Sequence, residues 1–131
     1  VLEPDNQEEA FMFGIKSDKG YHEVAEGIRI KTVSYGQETL MTEFTLKKGS
    51  ILPEHSHVHE QTGYLVAGRM DLRIGGTSRI LSTGDSWNVP SNVKHGASVL
   101  EDSVAVEVFA PRREEYLKFV CVDDVVEQAK E

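Results

Sequence analysis

The sequence predicts an all-β domain, an antiparallel sandwich or barrel with short helical elements near the termini. Three observations lead there. Short apolar runs with two-residue alternation recur from Ile28 to Phe109, separated by turn residues. No strand–helix–strand alternation interrupts them. A chain of 131 residues has room for one ordinary core, not two.

In chain order, residues 1–27 read as an N-terminal arm and first strand, 28–111 as the barrel and 112–131 as a helical tail. Gln7 to Met12 are helix formers that Asp5 or Asn6 can cap, although strand addition to a partner sheet fits the same residues. Lys16 to Gly20 reads as a turn, and His22 after it stands alone. Ile28 to Lys31 alternates, and Leu40 to Leu46 sets residues 40, 44 and 46 on one face. Tyr64-Leu65-Val66 and Met70 to Ile74 follow, the latter with 70, 72 and 74 inward. Gly75-Gly76 makes a tight hairpin into Arg79-Ile80-Leu81. Trp87-Asn88-Val89 is a short strand stopped by Pro90. His95 to Val99 and Val104 to Phe109 read as two strands split by Glu101-Asp102-Ser103. Glu114 to Leu117 reads as a helical turn, and Val122 to Lys130 as a terminal helix.

Composition narrows the function. A net charge of −8 opposes nucleic acid and anionic membrane, both of which need a basic face. No apolar run approaches membrane-spanning length, and no signal-peptide pattern opens the chain. The single cysteine, Cys121, allows no intrachain disulfide and fits a reducing compartment, so a cytoplasmic protein is expected. Cys121 lies in the apolar run Phe119 to Val122, far in sequence from any histidine, which favours packing over catalysis.

The densest chemistry lies in Gly49 to Gly68, which holds His55, His57 and His59 with Gln61 just beyond. Residues 55, 57, 59 and 61 share parity, so a regular strand aims all four one way. Pro53 keeps a helix from running through. Converging imidazoles form a partial shell for a divalent transition metal, and one more ligand must come from elsewhere. His59 and Gln61 compete for one place in that shell.

The spacing Gly49-x5-His55-x-His57-x3-Gln61-x6-Gly68 resembles the first motif of the cupin family. Gly84-x5-Pro90-x-Asn92-x2-His95 resembles the second, with Asn92 in place of a glycine. Asparagine tolerates the left-handed backbone better than most residues. The resemblance implies a double-stranded β-helix, the cupin jelly-roll barrel, and a homodimer built through terminal strands. It also implies one divalent metal ion held by His55, His57, Gln61 and His95. Nickel, iron, manganese, zinc, cobalt and copper all accept such a nitrogen-rich set.

The strand Ser103 to Phe109 sets Val104, Val106 and Val108 on one face and Ala105, Glu107 and Phe109 on the other. A carboxylate and an aromatic on one face suit a pocket wall. Arg112 or Arg113 can reach its rim, and arginine's planar fork suits a substrate carboxylate. The runs His55 to Gln61 and Val106 to Leu117 resemble the pectin-degradation cupins of the KdgF type. That resemblance implies ring opening of 4,5-unsaturated uronate monosaccharides to linear 4-deoxy-5-keto uronates. Glu107 would act as acid/base, Phe109 would pack the sugar and Arg113 would bind its carboxylate. The family usually has aspartate where Glu107 stands. A metal-dependent dioxygenase, or a cupin that binds a small acid or sugar without catalysis, stands as the alternative.

Overall fold

The computed structural model describes residues 12–126; the expected N-terminal helix lies outside them. Among the described residues ten strands form: β1 (Phe13–Gly14), β2 (His22–Ala25), β3 (Ile28–Tyr35), β4 (Leu40–Leu46), β5 (Ile51–His55), β6 (Glu60–Ile74), β7 (Thr77–Ser82), β8 (Ser86–Val89), β9 (His95–Ala110) and β10 (Val125–Val126).

Two long antiparallel strands, β6 and β9, pair along almost their whole length. Their far halves carry different neighbours. The end of β9 pairs with β4 and the start of β6 with β8, so one sheet runs β2-β3-β4-β9-β6-β8. The start of β9 pairs with β5 and the end of β6 with β7, so the other runs β5-β9-β6-β7. The fold is thus a jelly roll whose two sheets share two bent strands.

The bend has a definite cause. Register shifts cluster between Leu65 and Met70. Gly68 sits there with φ +115, and a Cβ on it would stand 2.1 Å from Ser103 Oγ. That hydroxyl accepts from the Arg69 amide at 3.1 Å and donates to the Glu101 carbonyl at 2.7 Å. Glu101 to Ser103, expected to split two strands, is therefore a bend inside one continuous strand.

The core lies between the sheets. Ile28, Ile30, Phe44 and Leu46 from β3 and β4 meet Leu65, Met70, Leu72, Trp87 and Val99. Trp87 packs flat over Gly63, where a Cβ would fall 2.2 Å from the indole.

The C-terminal segment departs from expectation. Glu114–Phe119 forms a 3-10 turn, as does Val122–Asp124, but Val125–Val126 pairs with Phe13–Gly14 instead of continuing a helix. Consecutive β-branched residues favour the extended backbone. Lys31 fastens this layer to β3. Its buried ammonium donates to the carbonyls of Ser17 and Lys19 at 3.0 and 2.7 Å and to Asp124 Oδ2 at 2.8 Å. Cys121 is half-buried in the same layer, packed against Gly20, and does not line the cavity described below.

Candidate metal centre and cavity

The expected single histidine-bearing strand does not form. β5 ends at His55, residues 56–59 form a loop, and β6 starts at Glu60. The cluster is built by sheet register instead: His55, the last residue of β5, is the cross-strand partner of His95, the first of β9. Their rings lie 4.3 Å apart, and the His57 ring, on the loop, lies 5.0 Å from His95. One nitrogen from each of the three falls within 4.8 Å of the others.

Asn92 holds that loop in place. It takes the left-handed backbone expected at the glycine position, with φ 66, and its backbone N–H donates to the His57 carbonyl at 2.7 Å. Ser91 Oγ donates to the Val58 carbonyl at 2.6 Å. The loop bearing the second motif thus clamps the loop bearing His57.

The three imidazoles share one tethering pattern. Nδ1 of His55, His57 and His95 lies 2.9 Å from the carbonyl of Pro53, His59 and Val93, respectively. A carbonyl can only accept, so each Nδ1 carries the proton and each Nε2 presents a bare lone pair. Burial lowers the His57 pKa to about 4, with Arg113 and His95 adding to the effect. Burial also lowers that of His95, against the Val93 carbonyl that favours its charged form. The His57 and His95 rings are therefore neutral near pH 7.

Neutral rings leave an electrostatic problem at the centre. His95 Nε2 is buried without a hydrogen-bond partner. His57 Nε2 lies 3.0 Å from Gln61 Oε1, and with the proton on Nδ1 both atoms offer lone pairs to the same point. A cation there satisfies them all, so the donor set fits one divalent transition metal. Gln61, 6% exposed on β6, is the side chain turned to the cluster. His59 is not among the residues whose nitrogens converge, and Glu60 is exposed. Three imidazoles and an amide are all neutral, so a bound divalent ion would keep its full charge toward an anionic oxygen.

Beside the cluster lies a cavity of about 210 Å³. The inner face of β9 supplies part of its wall, with Phe109 buried and Glu107 beside it. Glu107 Oε1 is fully buried with no hydrogen-bond partner. That burial raises the Glu107 pKa to about 8, although Arg113 pulls the other way. Phe109 sets its ring 5.8 Å from that of His57. Of the two adjacent arginines, Arg113 lines the cavity and Arg112 does not. Arg113 lies over Phe109 and Tyr116, at 5.1 and 4.2 Å from the ring centres.

Tyr116 and Trp87 also line the cavity, and sequence reasoning did not place them there. Tyr116 read as part of a helical turn. Its signal is its position three residues after Arg113, because side chains three apart eclipse in a 3-10 turn.

Comparison with known proteins agrees with this architecture. The cupin-domain family profile matches residues 42–110. The pectin degradation protein KdgF of Dickeya dadantii is 33% identical over 105 residues, covering 79% of this chain and 96% of its own. The structure of KdgF from Halomonas sp. superposes with a TM-score of 0.76 at 32% identity, over 79% of this chain and 98% of that one. An RmlC-like cupin from Shewanella frigidimarina gives 0.77 at 25% identity, over 82% and 96%. With two sheets sharing bent strands, an imidazole cluster at one end and these relatives, the chain belongs to the cupin family.

Proposed function

We propose that this cupin is a metal-dependent enzyme that opens the ring of 4,5-unsaturated uronate monosaccharides to give linear 4-deoxy-5-keto uronates. The observation that carries the reading is the convergence of Glu107, Phe109 and Arg113 on the cavity beside His55, Gln61 and His95. Similarity to two KdgF proteins, one named for pectin degradation, points the same way.

The substrate is a cyclic enol ether with a carboxylate and an anomeric hydroxyl. Ring opening is an isomerisation. C4 takes a proton, the bond from C1 to the ring oxygen breaks to leave a ketone at C5, and the anomeric O–H gives up its proton as C1 becomes an aldehyde. One group that gives a proton to C4 and recovers one from the anomeric hydroxyl ends as it began. Glu107 suits that role, because burial keeps its carboxyl protonated near neutrality. Arg113 would pair with the substrate carboxylate, and Phe109 would pack against the sugar face. His55, His57, Gln61 and His95 would hold the metal. When bound, such an ion supplies charge stabilisation for oxygens that turn negative in the transition state.

The test is direct. Metal-loaded protein mixed with unsaturated uronate should erase the ultraviolet absorbance of the conjugated double bond far faster than buffer alone. A rate equal to buffer, or stoichiometric oxygen uptake, would overturn the reading.

We also propose a homodimer formed through the terminal strands. Met12, Phe13 and Ile15 expose more than half of their surfaces at β1, an unusual cost for a lone soluble chain. Sedimentation velocity should give twice the 14.6 kDa chain mass, and a single species at the monomer mass would reject this.

A further inference from the structure

Two arginine–glutamate pairs stand in tandem in Arg112-Arg113-Glu114-Glu115, and they are built differently. Arg112 spends its whole fork. Its Nε and Nη2 reach the two oxygens of Glu114 at 2.9 and 3.3 Å, and Nη1 donates to the Gly36 carbonyl at 3.1 Å. Arg113 gives only Nε, to Glu115 Oε2 at 3.0 Å. Among the described residues, no other hydrogen bond ties its guanidinium.

The rest of the Arg113 environment fixes a plane. The Tyr116 amide donates to the Arg113 carbonyl at 3.0 Å, closing the 3-10 turn and bringing the two side chains onto one side. The Tyr116 carbonyl accepts from Thr32 Oγ1 at 2.6 Å, which ties that turn to β3. The Phe109 and Tyr116 rings meet edge to face, 5.4 Å apart, and both contact the guanidinium. The Arg113 side chain, 11% exposed, lines the cavity, and among the described residues its Nη1 and Nη2 make no hydrogen bond.

We propose that Glu115 and Tyr116 are positioning residues that hold Arg113 as a fixed planar fork, making the cavity selective for a carboxylate over its neutral ester. The idea deepens the uronate reading and rests on it only for the identity of the sugar. Glu115 restrains the near edge of the guanidinium, and Tyr116 restrains its tilt. A carboxylate can accept two parallel hydrogen bonds from the remaining edge, and an ester cannot match either the charge or the geometry. The Arg112–Glu114 pair next door supplies the control, because it spends its fork away from the cavity.

The experiment is calorimetric titration of metal-loaded, full-length protein with a saturated hexuronate and with its methyl ester. Wild type should bind the acid at least about tenfold more tightly. Glu115→Gln and Tyr116→Leu should each cut that preference about three- to fivefold, the range of an exposed ion pair. Tyr116→Phe, which keeps the ring, should restore it, and Glu114→Gln should leave it intact. In turnover, Glu115→Gln should raise KM by the same factor with little change in kcat. The proposal is overturned if wild type does not distinguish acid from ester. It is equally overturned if both variants keep the preference, or if Glu114→Gln lowers it as much as Glu115→Gln. Should wild type show the full binding pattern yet leave the unsaturated uronate intact, the fork stands and the ring-opening reading falls.

Discussion

Glu107→Gln is expected to lower turnover of the unsaturated uronate by about 10² to 10⁴, the usual contribution of a positioned proton-transfer group. The same change should stabilise the metal-free protein at neutral and alkaline pH. Below its ordinary pKa of 4.5 the carboxyl is protonated both folded and unfolded, and burial costs nothing extra. From there to about 8 the unfolded chain releases a proton that the folded protein keeps. Wild-type stability should therefore fall as pH rises through that window and level off above it. Glutamine removes the titration, so the advantage of the variant should grow to at most about 3 kcal/mol at pH 7. Urea unfolding of both metal-free proteins across the window reads the difference in slope. Parallel curves would mean that the Glu107 carboxyl is solvated, and its acid role would lose its physical basis.

The same residue shows where sequence reading stopped. The alternation from Ser103 to Phe109 put Glu107 on an inner face, and the structure puts it there. The missing hydrogen-bond partner and the charge of Arg113 depend on packing that no local pattern encodes. The histidine spacing named the members of the cluster but not how they meet. Parity along one strand was the wrong device, because residues 56–59 leave the strand. Pairing of His55 with His95 across two strands brings them together instead. The long strands were hidden for a related reason. In β6 the buried set is Gln61, Gly63 and Leu65 before Gly68 and Met70 and Leu72 after it, so the phase flips at the bend. β9 keeps one phase throughout, with His95, Ala97, Val99, Ser103, Ala105 and Phe109 all buried. That odd-numbered set, interrupted by exposed Glu101 and half-buried Glu107, was legible, and the turn-like composition of Glu101 to Ser103 masked it. The terminal helix failed on Val125–Val126, where pairing with Phe13–Gly14 overrode a helical pattern.

His95→Ala should abolish metal binding and, with it, turnover, while leaving the metal-free fold nearly as stable as wild type. The two effects have separate causes. His95 is 4% exposed and presents an unpartnered Nε2 to the centre. In metal-free wild type that buried, unsatisfied nitrogen costs about 1–3 kcal/mol. Alanine removes this cost but leaves a cavity whose own cost is of similar size, at about 24 cal/mol per Å³. The two nearly offset, so the metal-free unfolding midpoints should lie within a few degrees of each other. Metal-loaded wild type is different. A ligand that binds only the folded state stabilises it by about 2.7 kcal/mol at a hundredfold excess over Kd. Saturating metal should therefore raise the wild-type Tm and leave that of His95→Ala unmoved. Elemental analysis should find one metal per chain in wild type and close to none in the variant. A variant that still binds one equivalent and gains the same Tm would show that the ion sits elsewhere. The convergence of His55 and His57, each tethered through Nδ1, and the Gln61 oxygen beside His57 Nε2 would then need another explanation.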